Sequence, residues 1–275
     1  MKPIDFDGRF RRFAEQWMLR NRSKFPNADR MEEAFAGVYL RWINRPAPWL
    51  GGTSPAGYFT RLQSPEALTA LLRAYGAEGV PVPDLLISRL GEFGPEAAGA
   101  LESLAFDEGA ADEPRAAAMN LLTACGAESP MPRCVERIRA CEAGDEFAEL
   151  AADLLRGLGA AAIPAMLDAL NKASEAGAEI FIELLCNFPG DDRIYTIAID
   201  RFERTPGKRA QYASYLGKLM DPRAIGPLTR SLEAKDLGYL DYIEIVNAIE
   251  ALGGDAPEGR DFTGDPHYES LKHLS

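Results

Sequence analysis

The stretch LGKLMDPRAIGPLTRSL (residues 216–232) ends one helical pattern and begins another. Leu216 and Leu219 close the first, Asp221 and Pro222 interrupt it, and Ile225 and Leu228 open the second on one helical face. Two upstream stretches repeat the opening: AAIPAMLDAL (161–170) and DRIYTIAIDRF (192–202). Their aligned isoleucines, Ile163, Ile194 and Ile225, recur at intervals of 31 residues, and Met166, Ile197 and Leu228 follow them at a constant distance. A fixed period of this size marks a helical repeat.

The second helix of each unit aligns on its last strong apolar residue: Phe93, Cys125, Leu158, Phe188, Leu219 and Leu252. Three residues earlier stands a column of branched aliphatics, Leu90, Leu122, Leu155, Leu185, Leu216 and Ile249. Six residues before the anchors are Ile87, Met119, Ala152, Ile182, Ala213 and Val246, all apolar; five before are Ser88, Asn120, Asp153, Glu183, Ser214 and Asn247, all polar. At about 100° per residue the polar column lies about 200° round the helix from the aliphatic one, so each helix is expected to bury one side and present the other. Gly and Pro in AEGVPVP, DEGAADEP, EAGDE, SEAG, RTPG and AKDLG stop one helix and admit the next. Hairpins of about thirty residues cannot bury their apolar faces alone and must stack. The expected fold class is all-α: a right-handed α-α superhelix of about six helical hairpins over residues 63–253, behind an N-terminal helical cap and connector (1–62) and ahead of a C-terminal tail (254–275).

The 216–232 stretch resembles the short HEAT-like repeat of the phycobilisome-lyase type, with Leu-Gly ending one helix and Asp-x-Arg-Ala-Ile opening the next. LLRGLGAAAIPAMLDAL is similar without the Asp and Arg; FPGDDRIYTIAIDRF departs by losing Ala and gaining aromatics. The resemblance covers residues 146–253. It implies a curved array whose second helices line the concave face, in a family of interaction scaffolds, bilin-attachment enzymes and, more distantly, DNA-repair glycosylases. On that geometry the polar column, with Asn120, Ser214 and Asn247 among its members, floors the groove, and Glu149 and Glu179 lie one turn before Asp153 and Glu183. Those four carboxylates form a candidate site for a basic peptide or protein segment. Binding or attachment of a bilin-like small molecule in the same groove is the alternative. It would call for arginines near two propionates, yet only Arg156 and Lys218 fall close to an otherwise neutral or acidic floor.

Near the N-terminus, FDGRFRRFAEQWMLR (6–20) and MEEAFAGVYLRWIN (31–44) carry aromatics at helical spacing, and Pro46 and Pro48 forbid continuation of the second helix. An open repeat array exposes the apolar side of its first hairpin, and a distinct cap covers it. Trp42, Trp49, Tyr58 and Phe59 suit that duty. The competing reading makes Arg41, Trp42, Arg45 and Trp49 an aromatic and basic pocket for an anionic or proline-rich ligand.

Charge narrows the partners. Residues 1–62 carry eleven Lys/Arg against six Asp/Glu, a net of +5, whereas the rest carries nineteen against thirty-six, a net of −17. Phosphate binding needs clustered positive charge, so no nucleic-acid partner is expected; pairing of the basic segment with the acidic remainder, within one chain or between two, makes self-association possible. No apolar h-region or membrane-length run is seen, and a cytoplasmic protein is expected. Catalysis, cofactor and metal are expected to be absent: both histidines, His267 and His273, lie in the tail, no cysteine pair has CxxC spacing, and TPGKRAQ lacks the flanks of a phosphate loop. Cys125, Cys134, Cys141 and Cys186 read as small buried apolar residues.

Overall fold

The computed structural model describes residues 1–255 and 259–272, which form helices and connecting turns with no strand among the described residues. The all-α expectation is met. In chain order the helices are α1 (Phe6–Asn21), α2 (Ala28–Asn44), α3 (Pro65–Glu78), α4 (Asp84–Gly91), α5 (Ala98–Ala105), α6 (Asp112–Ala124), α7 (Met131–Arg139), α8 (Glu146–Leu158), α9 (Ile163–Leu170), α10 (Glu175–Leu185), α11 (Asp192–Arg204), α12 (Arg209–Leu219), α13 (Ile225–Ser231), α14 (Tyr239–Ala251) and α15 (Pro266–Lys272). They start where sequence chemistry allows. Ser64 caps α3 by accepting from the Ala67 N–H, with Pro65 at the first helical position, and Ser174 and Asp191 cap α10 and α11 in the same way. Residues Glu146–Leu170 are long and apolar enough, by length and composition, to cross a membrane; Gly159, at φ +63°, breaks the stretch between α8 and α9.

The chain divides into two compact units, Met1–Cys134 with Glu149–Leu158, and Val135–Ala148 with Gly159–Ser275. In the first, α3 touches α4, α5 and α6, while α4 and α5 both reach α6. Leu68, Leu72, Leu86, Leu90, Leu101, Met119, Leu122 and Leu155 are at most 1% exposed there. α3 and α6 approach closely at Gly76, where a Cβ would lie 2.5 Å from Pro114 Cγ.

The N-terminal segment is part of this unit's core. Tyr75 of α3 is fully buried, and its hydroxyl accepts from the Ile4 N–H at 3.2 Å and donates to the Ile4 carbonyl at 3.1 Å. Phe6 follows, ringed by Trp49, Tyr58 and Phe59 at centroid distances of 5.4–5.6 Å. Phe10 does the same for the hairpin, touching Phe35, Tyr39 and Trp42. The first helix pair is thereby joined to α3 through aromatic burial, the term that dominates small cores.

In the second unit α9 packs on α10, α10 on α11, α11 on α12, and both α12 and α13 on α14. Gly217 lets α12 sit against α14, with its Cβ position 3.4 Å from Ala248 Cβ. The described part of the tail packs on the end of α13 and on α14. Arg260 donates to the carbonyls of Leu232, Ala234 and Lys235 at 3.4, 2.7 and 3.3 Å, satisfying acceptors left at the end of α13. Phe262 is 7% exposed between Tyr239 and Tyr242, and Asp265 accepts from the Tyr239 N–H at 3.0 Å. The part of the 254–275 stretch formed by residues 256–258 and 273–275, which includes His273, lies outside the described residues.

The aliphatic column is buried throughout: Leu90, Leu122, Leu155, Leu185, Leu216 and Ile249 are all at most 1% exposed. Met119, Ala152, Ile182 and Ala213 accompany them. Ile87 and Val246 do not; they are half-buried, and Leu86 and Ile245 take the inner position. A 3.6-residue turn puts the residues three and four before a buried leucine on nearly the same face, so either can win. The first helices also differ by one residue. Ala162, Met166 and Leu170 are buried and recur as Ala224, Leu228 and Leu232, whereas α11 buries Ile194, Ala198 and Phe202. Keeping the common register there would bury Arg193 and Arg201, and an unpaired buried guanidinium costs more than a roll of about 100°.

Candidate functional site

The polar column falls on the outer side of its helices. In the first unit Asn120 of α6 and Glu149 and Asp153 of α8 are exposed, and Asp153 is ion-paired with Arg156 one turn on. In the second unit Glu179 and Glu183 of α10 and Ser214 of α12 are half-buried, and Asn247 of α14 is exposed. Opposite α10, two lysines meet its carboxylates. Lys208 pairs with Glu179 and stands 3.9 Å from Glu175; Lys218 Nζ is 3.5 Å from Glu183 Oε1. Lys218 also lies 5.6 Å from the Tyr215 ring centre, and Gln211 donates to the Tyr215 hydroxyl at 2.8 Å. Of Glu149, Asp153, Glu179 and Glu183, expected to form a negative patch, three already face a cation: Arg156, Lys208 and Lys218.

The sequence contained that signal. Arg156 follows Asp153 by three residues, one helical turn, and Lys218 stands two residues past the buried Leu216. Lys208 was harder to foresee, because it lies in the turn ahead of α12 and only the packing of α12 brings it to α10.

Arg41, Trp42, Arg45 and Trp49, expected as an aromatic and basic pocket, lie at the end of α2 and in the turn after it. Arg41 and Arg45 are exposed, and the Arg41 guanidinium folds back over Gly37 of its own helix, 3.2 Å from where a Cβ would stand. The cation that covers Trp49 is Arg9, 4.2 Å from the ring centre. Trp49 stacks on Trp42 at 6.5 Å and 28°, and meets Phe6 edge-on. The backbone closes behind them: Ala47 donates to Thr53 O and Gly52 donates to Ala47 O, both at 3.0 Å, with Gly51 and Gly52 at positive φ. Residues 47–53 thus make a tight loop in which Trp49 is half-buried against Phe6, Trp42 and Arg9. Leu50 in this loop and Tyr58 and Phe59 after it are buried.

Burial pushes the Cys134 and Cys186 thiols up to about 12, holding them protonated. Asp191 is held at about 2 by its hydrogen bonds from the Arg193 side chain and backbone, as befits a helix cap. His267 is exposed in the first turn of α15. Among the described residues there is no group of three His, Cys, Asp or Glu side chains placed to hold a metal ion.

Compared with protein-family models, curated proteins and solved structures, the chain matches none.

Proposed function

We propose that this chain is a non-enzymatic interaction scaffold, built as a HEAT-like array of helical hairpins, that binds a basic segment of a partner protein along its second helices. The pairing of α3 with α4, α5 with α6, α9 with α10, α11 with α12 and α13 with α14 supports the array, as do the contacts of α4 with α6 and of α12 with α14. The observation that carries the binding reading is on α10. Glu179 and Glu183 are half-buried, and the lysines that meet them are 34% and 44% exposed.

Such a pair is exchangeable. An ammonium is a strongly hydrated point charge, whereas a guanidinium grips a carboxylate with two parallel hydrogen bonds. Arginines of an incoming segment therefore displace Lys208 and Lys218 into solvent and take over their carboxylates. Exposed ion pairs are worth at most about 1 kcal/mol, so the lysines yield cheaply.

Fluorescence anisotropy with labelled arginine-rich and lysine-rich peptides of equal charge tests this. The arginine peptide binds more tightly. Glu179→Gln with Glu183→Gln weakens it about tenfold, a loss of about 1.4 kcal/mol. Lys208→Ala with Lys218→Ala strengthens it. Unchanged binding in the glutamine variant defeats the proposal.

A further inference from the structure

We infer that the far end of the α1–α2 hairpin is a docking groove for an acidic amphipathic helix of a partner protein. This rests on different residues from the α10 face and stands independently of it. Between the end of α1 and the start of α2 lies a groove of about 480 Å³ lined by Met18, Leu19, Phe25, Pro26 and Met31. A second hollow of about 350 Å³, sharing Met18 and Met31, extends it toward Phe35 and Glu32. Its apolar lining is open to solvent: Leu19 is 79% exposed, more than any other large apolar residue among those described.

Two properties of the lining point to the occupant. First, the floor is built on methionines, whose unbranched and polarisable side chains adapt to a helix face inserted between two helices. Second, the α1 end of the lining is positive. Arg22 lines the groove, Arg20 and Lys24 flank it in sequence, and among the described residues none of the three forms an ion pair. Arg30, across the groove on α2, is paired with Glu33 at 2.7 Å. Arg22 in the lining, with Arg20 and Lys24 beside it in sequence, complements carboxylates at one end of a helix that carries aliphatics on one side. Glu32 at the other end of the hollow, with Asp29 and Glu33 beside it on α2, opposes an anionic bilayer and orients the guest, whose acidic end sits by Arg22.

The full chain is titrated with a fluorescent synthetic helix carrying leucines at i, i+3, i+4 and i+7 and glutamates elsewhere. Controls are the same composition scrambled and the same pattern with lysines for glutamates. The patterned acidic peptide binds saturably, at least about tenfold tighter than either control, and weakens as salt is raised. Leu19→Asp, at a site exposed enough to leave the helix content and melting curve unchanged, reduces binding about tenfold. Arg22→Glu with Lys24→Glu reduces it and flattens the salt dependence. Three results overturn the inference: equal binding of the lysine or scrambled peptide; co-sedimentation with anionic vesicles in the absence of peptide binding; or concentration-dependent self-association that Leu19→Asp abolishes, which would make the occupant a second copy of this chain.

Discussion

Replacing Gly177 by alanine separates packing from helix propensity, because the two demand opposite outcomes. Gly177 is the third residue of α10. In an isolated helix the change stabilises by about 1 kcal/mol, since glycine forfeits more backbone entropy. Here a Cβ would stand 2.2 Å from the carbonyl oxygen of Ile138 and 3.1 Å from its carbon. The obstacle is backbone, not a side chain that can swing aside, so α10 must retreat by about 1 Å to restore van der Waals distance. That retreat pulls on the clamp joining the start of α10 to the end of α7: Ser174 donates its N–H to Arg139 O at 2.8 Å and its hydroxyl to Cys141 O at 2.7 Å. Forced packing costs about 1–3 kcal/mol, and each weakened hydrogen bond adds about 0.5–1.5 kcal/mol. Against the propensity gain, Gly177→Ala is expected to destabilise by about 2 kcal/mol, measured as the shift in chemical denaturation midpoint at constant slope. The control is Gly99→Ala in α5, where nothing lies within 4 Å of the new Cβ and the site is exposed. It should stabilise by about 0.5–1 kcal/mol. If Gly177→Ala equals or exceeds the wild type while Gly99→Ala behaves as stated, the close contact of α10 with α7 is wrong.

Two further outcomes follow from the cores. Leu216→Ala removes a fully buried side chain from α12 and is expected to cost about 2–5 kcal/mol by thermal or chemical unfolding; a variant melting with the wild type would place Leu216 outside the core. Alkaline stability reports on the N-terminal clamp. Burial raises the Tyr75 phenol from 10.0 to about 12, so the group contributes fully below about pH 10 and its contribution is lost as pH rises through about 12, when the phenolate can no longer donate to Ile4 O. Tyr58 and Tyr212 shift the same way by burial, so Tyr75→Phe should lower stability at neutral pH and reduce, without abolishing, the loss between pH 10 and 12. An unchanged alkaline slope in that variant would show that Tyr75 is ionised as readily in the folded chain as in the unfolded one.

The all-α class and the buried aliphatic column were readable from one chain of letters. Each is a consequence of local rules: a 3.6-residue period selects one face, and Gly and Pro interrupt it. Leu90, Leu122, Leu155, Leu185, Leu216 and Ile249 needed no knowledge of their neighbours to be assigned inward. Distances between helices obey no such rule. That Lys208 reaches Glu179, that Arg9 and not Arg41 covers Trp49, that Arg260 gathers the carbonyls after α13, and that Gly177 lies under Ile138 O all depend on how two elements approach. A one-residue roll of α11 exchanges Arg193 for Ile194 at the core, and the periodicity tolerates either. The pattern of residues settles which side of each helix leaves water, because that follows from transfer free energies along one chain. Which charges find each other across the remaining surface was decided by tertiary packing, since a Coulomb or hydrogen-bond energy exists only at a separation that no single helix specifies.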